Sequence, residues 1–79
     1  MAQTQYEIIK ELYRFPDVLG REWHKELNLI SWYGKEPCFD LRMWKNDHEK
    51  IGKGICLSEN EFRELIEVAE NLLYYRDVF

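Results

Sequence analysis

The chain has 79 residues, 46% hydrophobic and 33% charged, with twelve aromatic side chains and a net charge of -4. That composition excludes a disordered tail. At this length it allows one domain, residues 1–79, whose single core barely offsets chain entropy, a shortage that dimerisation relieves. No basic region precedes an apolar run and no segment approaches the ~18 apolar residues that span a bilayer, so a soluble, cytoplasmic protein without a membrane partner is expected.

Tyr6 to Phe15 (YEIIKELYRF) mixes two periodicities: alternation suits a strand, while Ile8, Ile9, Leu12 and Tyr13 also fit a helical stripe. Its short length, its β-branched and aromatic content and the stop at Pro16-Asp17 favour the strand. Arg21 to Tyr33 reads as a second strand, with Trp23, Lys25, Leu27 and Leu29 on one face. The apolar pattern then changes parity at Ile30 and Trp32, which predicts a bulge or strong twist near Leu29 to Ser31. Tyr33 to Pro37 forms a turn.

Cys38 to Lys45 alternates cleanly, Phe39, Leu41 and Met43 against Asp40, Arg42 and Trp44. If the first set is core, Trp44 is a large aromatic facing away from it beside Arg42. Asn46 to Lys50 is a polar turn, and Ile51 to Leu57 a short strand with Gly52 and Gly54 around Lys53. Ser58 and Glu61 make a capping box, followed by an apolar stripe at Phe62, Leu65, Ile66, Ala69, Leu72 and Leu73, which predicts one helix of about four to five turns. The aromatic tail from Tyr74 to Phe79 is expected to dock on the body or on another subunit.

From Ser58 onward six acids face two bases, so residues 1–57 are neutral. An acidic helix on a charge-balanced body argues against binding a polyanion through charge alone, and stacking must contribute. Arg42 and Trp44 fit either of two roles. They pack together as a cation over a ring without any ligand, or they hold a phosphate and a stacked base. Gly52-Lys53-Gly54 either permits close strand approach or admits a nucleic-acid backbone, and it lacks the spacing of a phosphate-binding P-loop. Trp23, Trp32 and Tyr33 read first as core or core-rim residues, and Lys25 and Lys35 as solvated lysines.

Cys38 and Cys56 read as buried or half-buried thiols. Their spacing with His24 and His48 supports no zinc site, so neither a metal nor a cofactor is expected. Neither histidine is tied by spacing to a nucleophile, which speaks against an enzyme and against a small-molecule substrate.

In order, FDLRMW, the turn NDHEK, GKGICLS and ENEFRELIEVAENL, preceded by WHKELNLISW, resemble the transcriptional positive cofactor family, especially its small bacterial YdbC-type members. The likeness covers about Trp23 to Leu72. It implies an α+β fold, a curved four-stranded antiparallel sheet followed by one C-terminal helix (β-β-β-β-α), paired as a homodimer through Phe62, Leu65, Ile66, Ala69, Leu72 and Leu73. It also implies non-catalytic binding of single-stranded DNA with little sequence preference. Carried over by position, Lys25, Lys35, Arg42 and Lys53 contact the DNA backbone, and Trp32 and Trp44 stack bases. The basic, serine-rich N-terminal extension of the eukaryotic members is missing. Single-stranded RNA and a protein-interaction module are the alternatives.

Overall fold

A computed structural model describes residues 5–17 and 20–74, with side chains as far as Leu72. The elements are β1 (Tyr6–Arg14), β2 (Trp23–Trp32), β3 (Cys38–Lys45), β4 (Lys50–Leu57) and α1 (Glu59–Tyr74). The strands form one antiparallel sheet in the order β1-β2-β3-β4, followed by the helix, the fold that the sequence implied. The ambiguous first segment is a strand. Among the described residues no helix is long and apolar enough to cross a membrane.

Turn chemistry explains the meander. Tyr33 and Gly34 both adopt positive φ, 53° and 72°, and Lys35 N–H donates to the Trp32 carbonyl, a two-residue turn whose twist suits a hairpin. Asn46 and His48, at 49° and 63°, coil the β3–β4 turn tightly enough for Glu49 N–H to reach the Lys45 carbonyl. At the helix start Ser58 Oγ accepts from Glu61 N–H, and Glu61 Oε1 accepts from Ser58 N–H, closing the expected capping box.

The irregularity expected in β2 lies in its neighbours instead. β2 pairs with β3 without interruption from Trp23↔Lys45 to Ile30↔Cys38. The register slips in β1, between Ile8 and Lys10 and between Glu11 and Tyr13, and again opposite β4 between Arg42 and Trp44. Each slip in β1 leaves one residue without a partner, Ile9 and Leu12, and both are exposed.

Which sheet face is buried also departs from expectation. His24, Glu26, Asn28 and Ile30 of β2 and Asp40 and Trp44 of β3 form the buried set, whereas Leu27, Leu29, Phe39, Leu41 and Met43 on the opposite face are only half-buried. Two causes combine. The bulged β1 brings Tyr6 against Trp32 and Trp44, at 5.6 and 5.4 Å between ring centroids, covering the inner face. Among the described residues helix α1 meets only β3 and β4, and its Phe62 stacks 4.1 Å from Phe39 on the outer face. Hydrophobic alternation sorted the residues into two faces correctly, but chain curvature decided which face closes.

Candidate nucleic-acid interface

On β3 the inner face begins with Asp40, whose carboxylate is fully buried and organises everything around it. Arg42, two residues along the same face, donates from Nε to Oδ1 at 2.5 Å and from Nη2 to Oδ2 at 2.7 Å. Trp32 Nε1 donates to Oδ2 at 3.2 Å and the Cys56 thiol at 3.0 Å. A buried carboxylate is tolerated only when paired and hydrogen-bonded, and these four donors supply that. The hydrogen bonds from Arg42 to Asp40 hold the guanidinium pKa above its ordinary value, outweighing burial.

Arg42 is thereby laid over Trp32, with Cζ 4.6 Å from the ring centroid, and its Nη1 donates to the Gly52 carbonyl at 3.2 Å. The ring beside Arg42 is Trp32 and not Trp44. Trp44, expected to face outward, is fully buried between Tyr6 and His48 and has no face free for a base. Its alternation was read correctly; the core simply lies on its side of the sheet.

Lys35, exposed in the β2–β3 turn, stands at the Trp32 end of this arrangement, and Ser31 Oγ donates to its carbonyl at 2.6 Å. Tyr33 in the same turn is 58% exposed despite its left-handed backbone. Sequence reasoning had placed Tyr33 in the core or its rim. The Tyr-Gly pair of a two-residue hairpin turn was the signal that would have placed it at a tip.

Lys25 pairs with Met43 on the outer face, and Lys25 and Lys53 flank a cavity of about 410 Å³ with Leu41, Arg42, Met43 and Ile55. The glycines around Lys53 serve close approach. A Cβ at Gly54 would fall 1.9 Å from Arg42 Cβ, and one at Gly52 would fall 2.8 Å from Met43 Cβ and from the Trp23 ring. Of the six residues expected to bind, the structure pairs Trp32 with Arg42, sets Lys35 in the adjoining turn, places Lys25 and Lys53 around a recess that Arg42 also lines, and buries Trp44.

The expected interface stripe on α1 is divided as well. Leu65, Ile66 and Leu72 are exposed together with Val68, whereas Phe62 and Ala69 are half-buried. The side chain of Leu73 and the tail beyond Tyr74 lie outside the described residues.

A second polar cluster occupies the other end of the inner face. Glu26 is buried, accepts from Asn28 Nδ2 at 2.9 Å, and contacts Nε2 of both His24 and His48, the latter at 2.7 Å. Burial pushes its pKa up, but the hydrogen bonds from Asn28, His48 and His24 outweigh that and leave the carboxyl below its ordinary value. The two thiols lie apart from this cluster. Cys56 belongs to an exposed residue, contrary to expectation, yet burial of its sulfur and its bonds to Asp40 and Cys38 push the thiol up to about 12.

Residues 19–68, which span β2 to β4 and the first part of α1, match the family model described as Transcriptional Coactivator p15 (PC4). A relative from Treponema pallidum (strain Nichols), described as an uncharacterized protein, is 36% identical over 53 residues, 67% of this chain. The matched region is 62% of that relative's length.

Proposed function

The chain belongs to the transcriptional coactivator p15 (PC4) family, and from that premise we propose that it binds single-stranded DNA without catalysis and with little sequence preference. Family membership points to nucleic-acid binding. The observation that carries the finer reading is the Trp32–Arg42 pair, with a ring and a cation held in one orientation by buried Asp40 at the rim of the inner face. A guanidinium has five N–H donors; Arg42 commits four to Asp40, Gly52 and the Cys56 sulfur, and the fifth, on Nη1, remains for a phosphate. Lys35 and Tyr33 extend the surface by one charge and one ring.

Lys53, exposed on edge strand β4, contributes charge at the sheet margin, and Lys25 serves a strand only where it crosses to the outer face. Trp44 supports the platform from within by packing on Tyr6, which in turn packs on Trp32. The exposed Leu65, Ile66 and Leu72 fit a homodimer in which the helices of two copies cover one another, since neighbouring large apolar residues exposed on one helix favour a partner.

Fluorescence anisotropy with labelled oligo-dT and with a matched duplex tests this reading. Tighter binding of oligo-dT, weakened by Trp32→Ala and by Lys35→Ala, is the expected result. Equal binding of strand and duplex, or none of either, would sink it. An oligo-U arm decides between DNA and RNA, because only contacts to the 2′-hydroxyl separate them.

A further inference from the structure

We propose that Glu11, Glu26 and His48 form a binding site for a divalent metal ion of the zinc class, built where β1, β2 and the β3–β4 turn converge. One carboxylate oxygen from each glutamate and one imidazole nitrogen of His48 all lie within 4.8 Å of one another. Zinc ligands at ~2.0–2.2 Å in a tetrahedral arrangement stand about 3.4 Å apart, so side-chain rotation alone brings these three donors onto one ion and leaves a fourth position for water.

The donors come from three separate elements, and each element is shaped to deliver its residue. Glu11 pairs with Asn28 between the two register slips of β1, which turn its side chain to the face that carries Glu26. Glu26 is 4% exposed and is steadied by Asn28 on one oxygen and by His24 on the other, the kind of outer support that holds a metal-binding carboxylate. His48 reaches it across 22 positions of sequence because the turn around it takes a left-handed backbone.

Charge favours a cation there. A cavity of about 270 Å³ beside the cluster is lined by Glu11, Glu26, Asn28 and Asp47, three carboxylates in one recess. Arg14 lies at its wall, but its guanidinium is paired with Asp17 at 3.1 Å. Among the described residues the Glu11 side chain has no hydrogen bond or ion pair. One nitrogen and two carboxylate oxygens form a borderline donor set, suited to zinc rather than to magnesium or calcium, which take oxygen alone. Glu11 lies outside the region that the family match covers, so the site is a property of this chain's first strand as much as of its shared sheet.

The test uses the full chain, free of any histidine tag, titrated with zinc chloride by calorimetry and weighed by native mass spectrometry. One zinc per chain is expected. Affinity should fall at least 10-fold in Glu11→Gln, an exposed and isosteric change, and in His48→Asn, since asparagine tolerates the left-handed backbone. Circular dichroism confirms that both variants fold, and zinc should raise the melting temperature of the parent chain but not of Glu11→Gln. Cobalt in place of zinc should give visible bands without thiolate charge transfer. Failure to bind one zinc, binding undiminished in Glu11→Gln, thiolate charge transfer, or loss of binding in Cys38→Ser would each overturn the proposal. None of these readouts depends on DNA.

Discussion

Arg42 and Trp32 both donate to the carboxylate of Asp40, and the shared acceptor sets the guanidinium 4.6 Å above the indole ring. A largely buried cation and a half-buried ring 10 positions apart in sequence thus become one rigid unit anchored in the core. In the proposed interface, binding and stability are coupled through it.

That coupling changes how Arg42 is to be tested. Arg42→Ala leaves a fully buried carboxylate without its partner, and removing one member of such a pair typically costs ~3–5 kcal/mol. Urea unfolding should show a loss in the lower part of that range, because 13% of the arginine side chain is exposed to water. A loss of DNA binding in this variant reports the fold as well as the contact. Arg42→Ala together with Asp40→Asn should recover part of the stability.

Trp32→Ala should weaken oligo-dT binding by ~1–3 kcal/mol, about 5- to 150-fold, if the ring stacks a base. Trp32→Phe, which keeps a π-face but loses the bond to Asp40, should retain most of the affinity. Anisotropy at two salt concentrations separates this loss from that of Lys35→Ala. Only the lysine variant should flatten the dependence on salt.

The glycines of β4 and of the β2–β3 turn should respond differently to alanine. Gly54→Ala places a methyl group 1.9 Å from Arg42 Cβ, with backbone behind it, so a loss beyond about 3 kcal/mol or failure to fold is expected. Gly34→Ala meets no atom within 4 Å and carries only the left-handed backbone penalty of ~1–2 kcal/mol. Thermal melts rank the two directly.

Acid should unfold the protein partly through Glu26. Its folded pKa lies below the ordinary 4.5, so the unfolded chain binds the proton more readily and stability rises with pH in that window. The contribution is complete above pH 4.5 and disappears as pH falls through the lowered value. Glu26→Gln should be less stable at neutral pH and should show a shallower acid limb in unfolding free energy measured from pH 6 to 3.

Leu65→Glu combined with Leu72→Glu should halve the mass seen by light scattering, with each chain still folded by circular dichroism. Leu65 and Leu72 are 45% and 43% exposed in the single chain, so the change should cost its own fold little. An unchanged mass would place the dimer elsewhere or remove it.

The elements themselves were legible in the residues. Ser58 and Glu61 announced the helix start, Tyr33-Gly34 and Asn46 to Lys50 marked the turns, and alternation in Cys38 to Lys45 sorted its side chains onto two faces. These signals are local, because a cap, a left-handed turn residue and a period of two are each written within a few positions. Trp32, Lys35 and Arg42 were singled out as candidates through a likeness of motifs that preserves their order.

Burial was not legible, because it depends on what another segment covers. Hydrophobicity favoured Phe39, Leu41 and Met43 for the core, but the slips in β1 folded Tyr6 over Trp44, and polar residues filled the closed face instead. The pairing of Arg42 with Trp32 through Asp40, and the meeting of Glu11 and Glu26 with His48, arise between strands whose register only the assembled sheet determines. The sequence by itself determined a four-stranded sheet, a capped acidic helix and a family, all of them consequences of short-range pattern. Tertiary structure alone decided which aromatic meets solvent and which charges share a buried site, since both follow from long-range contacts that close after the local elements have formed.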